Sequence, residues 1–200
     1  MVLIKRHYEK TAKMLTRLDA LVVSAAEISS SNAAEENDTT EKPVYDRKGK
    51  TAVFLVNGFN GLGLHTLLSV MKLFPHFYKN FIFVRVGIFD SGNFKGVEEV
   101  ESLRRQVQSD LDRYINFMNK HGLFADGVSA FCTDVVEEVS TLASELLKKY
   151  PNAVFFGGQL VFPDSSWFSR WLHNYTIFSM QRRFYYQGIP IVVLPVRVNS

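Results

Sequence analysis

A glycine- and asparagine-rich turn is the first part of this 200-residue chain that could hold a ligand. The run NGFNGLG (57–63) follows TAVFLVN (51–57), an apolar stretch typical of a buried strand, and precedes a helical pattern. Such a turn exposes backbone N–H donors at a helix start, where anions bind. The spacing matches neither G-x-G-x-x-G nor G-x-x-x-x-G-K-[ST]. We favour a β-to-α turn, and a small-ligand or nucleotide cleft at Asn57, Gly58 and Asn60 is the alternative.

A second glycine pair lies inside the apolar run AVFFGGQLVF. Only glycine lets backbone N–H groups approach phosphate oxygens closely, and bulky side chains follow Gly157 and Gly158 from Gln159 onward. This loop therefore lacks the small residues that a phosphate cradle needs, so we predict no cofactor, while a nucleotide in a different pose stays open. Together with Gly87, this pair completes the candidate cofactor-binding residues, which we treat as a ligand cleft only.

The histidines do not show metal-ligand spacing. His65, His76, His121 and His173 form no HxH or HxxxH pair, and the chain has no Cys-x-x-Cys. Structural roles are therefore expected for them, and we predict no metal site.

The single cysteine and the serines give no recognisable catalytic set. Cys132 is expected to be a small buried hydrophobe, and being alone it forms no disulfide within the chain, which fits a reducing compartment. A hydrolase would need a nucleophile and a base that converge around Asn57, Gly87 and Gly158. No such pair is apparent, so we predict a non-enzyme, with an unrecognised hydrolase site as an alternative.

Five apolar runs alternate with four helical patterns from residue 50 onward. The strands are predicted at 51–57, 81–90, 125–133, 153–162 and 189–198, and the helices at 63–78 (or broken near Pro75), 97–122, 134–150 and 167–187. Alternation of this kind predicts an α/β domain: a five-stranded parallel sheet with helices on both faces.

The last helix and strand suggest contact surfaces. Pro190 and Pro195 predict that the last strand is an edge strand, because proline cannot donate to a sheet ladder. The last helix is unusually aromatic, and a stripe of helical period is expected to face the core. That stripe is Phe168, Trp171, Tyr175 and Phe178. The other rings, with Arg170, Arg182 and Arg183, are candidates for docking a partner.

The first 49 residues differ in composition from the rest. Residues 1–23 predict a basic amphipathic helix, whose cations are Lys5, Arg6, Lys10, Lys13 and Arg17. It could lie on an anionic membrane surface or pack on the domain through its apolar side, and both interpretations stay open. Residues 24–49 are rich in Ser, Ala and acid, which predicts a flexible acidic linker before the domain at 50–200. A formal net charge of +3 does not indicate nucleic acid. No membrane span or signal peptide is expected, so the chain itself should be soluble.

The order of elements resembles the universal stress protein fold. Three motifs, HTLLSVMKLFP (65–75), NFKGVEEVE (93–101) and LHNYTIFSMQRR (172–183), are similar to the C-terminal cytoplasmic domain of bacterial amino acid permeases of the amino acid–polyamine–organocation superfamily. The opening IKRHYEKTAKMLTRLDAL is similar to the juxtamembrane helix that leaves the last membrane span of such a permease.

This resemblance implies a regulatory or assembly domain at the cytoplasmic face of the bacterial inner membrane. Its partner would be the transmembrane part of the same permease, and amino acid transport would not be a property of this chain alone. A freestanding nucleotide-binding universal stress protein is the alternative. In that family ATP binding uses G-x2-G-x9-G-[ST], which fails here whether it begins at Gly157 or at Gly158. The family also pairs its last strand in dimers, which implies a homodimer through residues 191–198.

Overall fold

The structure, a computed structural model, describes residues 42–89, 97–161 and 167–197, and of Val97 and residues 167–175 it describes the backbone only. Strands and helices alternate along these ranges. The strands are β1 (Lys50–Val56), β2 (Tyr78–Ile88), β3 (Phe124–Cys132), β4 (Ala153–Val161) and β5 (Ile191–Arg197). The helices are α1 (Gly61–Leu73), α2 (Val97–Lys120), α3 (Val135–Lys149) and α4 (Trp167–Gln187). The helix predicted at residues 1–23 and residues 24–41 of the linker predicted at 24–49 lie outside the described residues.

The five strands form one parallel sheet in the order β3-β2-β1-β4-β5. This confirms the predicted fold class and places β5 at an edge, as its prolines indicate. Pro195 of β5 lies opposite Gln159 of β4. An edge strand tolerates proline there, because proline has no N–H to donate to the sheet. The chain order reverses between β1 and β4, the neighbouring strands at the centre of the sheet.

One face of the sheet is covered by α1 and α2. Its core is rich in phenylalanine because alternate strand residues point to the same face. Phe54 stacks on Phe83 at 5.4 Å and on Phe156 at 5.5 Å between ring centres. Leu64 and Leu67 of α1 are buried against this layer.

The other face is covered by α3 and α4. Val53, Ile82 and Phe155 alternate with the residues of the first face and pack against the buried Met180 and Phe184 of α4. The prediction that Phe178 belongs to the core stripe is wrong, because Phe178 is 39% exposed. The inward side of α4 carries Ile177, Met180 and Phe184 instead. The side chains of the other three stripe residues lie outside the described part.

Helix α1 ends at Leu73, which confirms a break near Pro75. Proline disfavours the helical conformation of the residue before it and lacks an N–H of its own. The N–H of Phe74 still donates to the Val70 carbonyl at 2.9 Å, and the chain then turns through His76 at φ 59° into β2.

Residues 42–49 attach to the amino-terminal end of the sheet. Tyr45 packs edge-on against Phe124 and Tyr150, at 5.6 and 5.4 Å between ring centres. The buried Asn80 side chain accepts from the Asp46 N–H at 2.9 Å and donates to the Asp46 carbonyl at 2.8 Å. The chain that precedes residue 42 therefore leaves from this end. Within the described ranges, no helix has the length and apolarity needed to cross a bilayer.

Candidate functional site

A cavity of about 330 Å³ opens at the carboxyl ends of the strands. It lies where the chain order reverses, which is where open α/β sheets hold ligands. Its walls come from β1, β2 and β4, from the first turns of α1 and α3, and from the middle of α4. Representative lining residues are Leu55, Val84, Val86, Leu160, Leu62, Val139, Ile177 and Met180.

The lining of this cavity is apolar with a few neutral polar groups. Asn57, Thr66 and Thr176 supply the polar side chains, and none of the described lining residues is charged. The Thr66 hydroxyl already donates to the Leu62 carbonyl at 2.7 Å, so its oxygen can only accept a hydrogen bond from a molecule in the cavity. This lining suits a small, uncharged and largely apolar molecule better than a polyphosphate.

The asparagines predicted as ligand residues build the turn between β1 and α1. Asn60 is the N-cap of α1: its Oδ1 accepts from the Gly63 N–H at 3.1 Å. Its Nδ2 donates to Asn57 Oδ1 at 2.8 Å. Of the three candidate residues in this turn, Asn57 lines the cavity, whereas Gly58 and Asn60 do not.

The same turn is held against α2. The Tyr114 hydroxyl donates to the Gly58 carbonyl at 3.0 Å, and the Arg113 guanidinium lies 4.1 Å from the centre of the Phe59 ring. A Cβ on Gly63 would overlap the Tyr114 hydroxyl, so this close approach requires glycine. Burial raises the pKa of the Tyr114 phenol far above its ordinary value, so it stays a hydrogen-bond donor.

A buried ion pair lies beneath the turn. Arg85 Nη2 is 2.7 Å from Asp110 Oδ2, and the two side chains are 7% and 14% exposed. A Cβ built on Gly58 would lie 3.6 Å from Asp110 Oδ2 and 3.7 Å from Arg85 Nη2. Arg85 Nε is buried and finds no hydrogen-bond partner among the described residues. Asp110 is therefore the main compensation for this buried charge.

The glycine pair of β4 allows two helices to approach the sheet from opposite faces. A Cβ on Gly157 would overlap Ile177 of α4, and a Cβ on Gly158 would overlap Thr66 and Leu62 of α1. Gly158 also lines the cavity. Side chains of α4 and α1 therefore occupy the positions where a Cβ on either glycine would lie.

Gly87 lies on the face of the sheet away from the cavity. Strand alternation turns Val84, Val86 and Ile88 toward the cavity and Arg85 and Gly87 toward α2. A Cβ on Gly87 would meet the Phe131 ring at 2.6 Å and Leu103 at 3.2 Å. The structure therefore brings Asn57 and Gly158 together but separates Gly87 from them.

Burial shifts the pKa of two titratable side chains near this end, Cys132 and His65. Burial, and then the charges of Glu138 and Asp134, raise the pKa of the Cys132 thiol, so it stays protonated. Burial lowers the pKa of His65, which is not a cavity residue. Within the part of the chain that the structure describes, no cluster of His, Cys, Asp and Glu could hold a metal ion.

Several cavity residues are missed by the sequence patterns. Val84 and Val86 could have been found, since alternate residues at the end of a central strand face one side. Val135, Val139 and Thr176 could not, because their place depends on where α3 and α4 cross the sheet.

Comparison with known proteins supports the fold alone. The chain superimposes on the crystal structure of a protein from the universal stress protein family of Burkholderia pseudomallei with a TM-score of 0.52 and 15% identity, over 74% of this chain and 96% of that one. No protein-family model and no curated protein matches the chain. The expected universal stress protein-like fold is therefore confirmed.

Proposed function

We propose that this chain is a regulatory or assembly domain of a bacterial membrane amino acid transporter, without catalysis of its own. It acts at the cytoplasmic face of the inner membrane, joined to the transmembrane part of the same protein. The universal stress protein-like fold and the three motifs similar to permease C-terminal domains support this proposal.

The apolar cavity is the observation that carries the proposal. It occupies the ligand position of a doubly wound sheet, yet none of its described lining residues is charged, and Ile177, Thr66 and Leu62 fill the space beside the β4 glycines. A domain with such a cavity is suited to sensing an uncharged molecule. It is poorly suited to binding and hydrolysing a nucleoside triphosphate, which needs hydrogen-bond donors and cations around the phosphates.

Regulation requires that the domain bias the attached membrane part between two states. A ligand at the carboxyl end, a partner or dimerisation would favour one state, and the chain before residue 42 would carry the bias to the membrane. A homodimer through residues 191–198 is part of this proposal, since β5 is an edge strand with half-buried Val192, Val193 and Leu194.

The test is removal of residues 50–200 from the full-length transporter. We expect changed amino acid uptake, or changed assembly measured by native gels and cross-linking. A transporter whose uptake and assembly are the same with and without these residues would refute the proposal. A reading frame with about twelve apolar spans, each about 20 residues long, ahead of Met1 would supply the expected context.

A freestanding nucleotide-binding stress protein is the second candidate. It is favoured by the fold match, which covers 96% of a protein from the universal stress protein family. Titration calorimetry with ATP, ADP, AMP and cyclic dinucleotides separates the two candidates. Tight ATP binding favours the stress protein, whereas the absence of binding by any of these nucleotides favours the transporter domain. Because none of the described cavity residues is charged, nothing there favours the hydrolase alternative.

A further inference from the structure

We propose that the amino-terminal end of the sheet is a docking surface for an anionic lipid bilayer. This surface, here the basic end, comprises the residues before β1, the start of β2 and the final turns of the helices. All four helices end there, because each runs antiparallel to the parallel strands it connects.

Positive charge is concentrated on the basic end. Its exposed cations are Lys42, Arg47, Lys48, Lys50, Lys72, Lys79, Lys120, Lys148 and Lys149. Carboxylates are few among its described residues, namely Asp46, Asp126 and Glu145. The opposite end carries the acidic helix starts, with Glu98 and Glu99 on α2 and Glu137 and Glu138 on α3.

Helix dipoles account for only part of this charge. Lysines in the last turn of a helix stabilise its carbonyl end, which explains Lys72, Lys148 and Lys149. Lys48 lies in a loop and Lys79 near the start of a strand, where no helix dipole needs them.

Large apolar and aromatic side chains are exposed among these cations. Leu73 is 59% exposed, Phe77 52%, Tyr185 78% and Tyr186 73%. Exposed apolar groups surrounded by lysine are typical of surfaces that lie on membranes, where rings enter the headgroup layer and cations meet anionic lipid. A nucleic-acid surface would not need an exposed Leu73.

The path of the chain favours the same occupant. Tyr45 and Asp46 are fixed at the basic end, so the chain before residue 42 leaves from this side. The stretch of sequence with cations between Lys5 and Arg17 is therefore joined to the domain through the basic end. This stretch and the basic end carry charge of the same sign, so they repel each other, and an anionic bilayer attracts both.

This inference deepens the proposed function by orienting the domain, with the basic end toward the membrane and the cavity away from it. The test of this inference measures only the binding of the full chain to vesicles. Its result is therefore independent of the deletion experiment that tests the proposed function, and either proposal can be refuted while the other is supported. The parent protein for the test carries Gln at Lys5, Arg6, Lys10, Lys13 and Arg17, which removes the first basic region.

Vesicle flotation is measured with pure phosphatidylcholine and with equal parts phosphatidylcholine and phosphatidylglycerol. We expect the parent to bind only the anionic vesicles, less at high salt. Lys48→Gln, Lys72→Gln and Lys79→Gln together should lower partitioning at least about tenfold. The matched control replaces Arg104, Arg105 and Arg197 by Gln and should stay within about twofold.

An apolar pair tests insertion. Leu73→Ser should weaken binding about threefold, whereas Ile88→Ser at the opposite end, of similar exposure at 57%, should not. Circular dichroism melting verifies that all variants fold.

Four results would overturn the proposal. The first is that the parent does not bind anionic vesicles, and the second is that the lysine and arginine variants lose vesicle binding equally. The third is that poly(U) RNA displaces the protein from the vesicles while Leu73→Ser binds them as well as the parent. The fourth is that the protein binds vesicles only after residues 24–41 are deleted. The last would show that the chain's own acidic linker occupies the basic end.

Discussion

The two ends of the parallel sheet differ in both burial and charge. At the carboxyl end, Arg85 and Asp110 form a 2.7 Å ion pair that is almost wholly buried below the turn at 57–61. At the amino end, Lys149 and Asp126 lie 3.8 Å apart, with side chains 63% and 44% exposed. The first pair lies beneath the turn whose Asn57 borders the apolar cavity, while the second lies in a solvated surface rich in lysine. One topology therefore places an apolar cavity at one end of the sheet and an exposed lysine-rich surface at the other.

Breaking the buried pair should have the largest effect. Asp110→Ala leaves the Arg85 guanidinium buried without its carboxylate, and we expect a loss of about 3–5 kcal/mol in the free energy of unfolding. Urea unfolding measures it. Asp112→Ala, an exposed carboxylate on the same helix, should cost less than about 1 kcal/mol.

A double replacement sharpens this result. Arg85→Met with Asp110→Leu removes both charges and should recover most of the stability, because an apolar pair needs no compensation. If Asp110→Ala costs no more than Asp112→Ala, the pair does not hold the turn.

Adding a side chain at Gly157 of β4 should have the next largest effect. Gly157→Ala forces the new Cβ against Ile177, and we expect a loss of about 1–3 kcal/mol. Combined with Ile177→Ala, which opens space, the cost should be smaller than the sum of the single changes. Strict additivity in thermal or urea unfolding would contradict a packing role for Gly157.

Loss of the Tyr114 hydroxyl should cost less, about 1 kcal/mol, because one buried hydrogen bond to the Gly58 carbonyl disappears. It should also change the alkaline behaviour. Burial raises the Tyr114 pKa in the folded protein above the ordinary 10.0 of the unfolded chain. The folded state therefore holds this proton more tightly, and the stabilisation present below pH 10 is lost as the pH rises above it.

We expect the advantage of the native protein over Tyr114→Phe to shrink above pH 10 by up to about 1.4 kcal/mol per pH unit. Tyr186→Phe, at a ring that is 73% exposed, is the control and should show no such trend. Parallel pH profiles of the native protein and Tyr114→Phe would argue against the buried phenol.

The exposed pair at the amino end should contribute least. A double-mutant cycle with Lys149→Gln and Asp126→Asn should give a coupling free energy below about 1 kcal/mol that decreases with salt. A coupling as large as that of Arg85 and Asp110 would remove the contrast between the two ends.

The fold was largely predictable from local patterns. Alternating apolar strands and amphipathic helices determined the parallel sheet, and Pro190 and Pro195 indicated the edge position of β5. The exposure of Phe178 was not predictable, because helical period defines a stripe but not which stripe faces the sheet.

The candidate site was only partly predictable. The sequence predicted a β-to-α turn at Asn57 and Asn60, and the structure shows their side chains hydrogen-bonded to each other, with Asn60 capping α1. The glycines at 87, 157 and 158 share one residue type yet lie in three environments, which only neighbouring helices distinguish. Arg85 and Asp110 are far apart in sequence, and nothing local marks them as partners.

By itself the sequence determined the type and order of the strands and helices, and placed their ends to within a few residues, because propensity, capping and hydrophobic period act over short distances in the chain. It also determined the charges at the helix starts and ends. Only the tertiary structure decided that the helix ends and loop lysines share one surface, and that Ile177 and Thr66 fill the space beside the β4 glycines. Those outcomes depend on how four helices pack on two faces of one sheet, and such long-range packing is not encoded in any single segment.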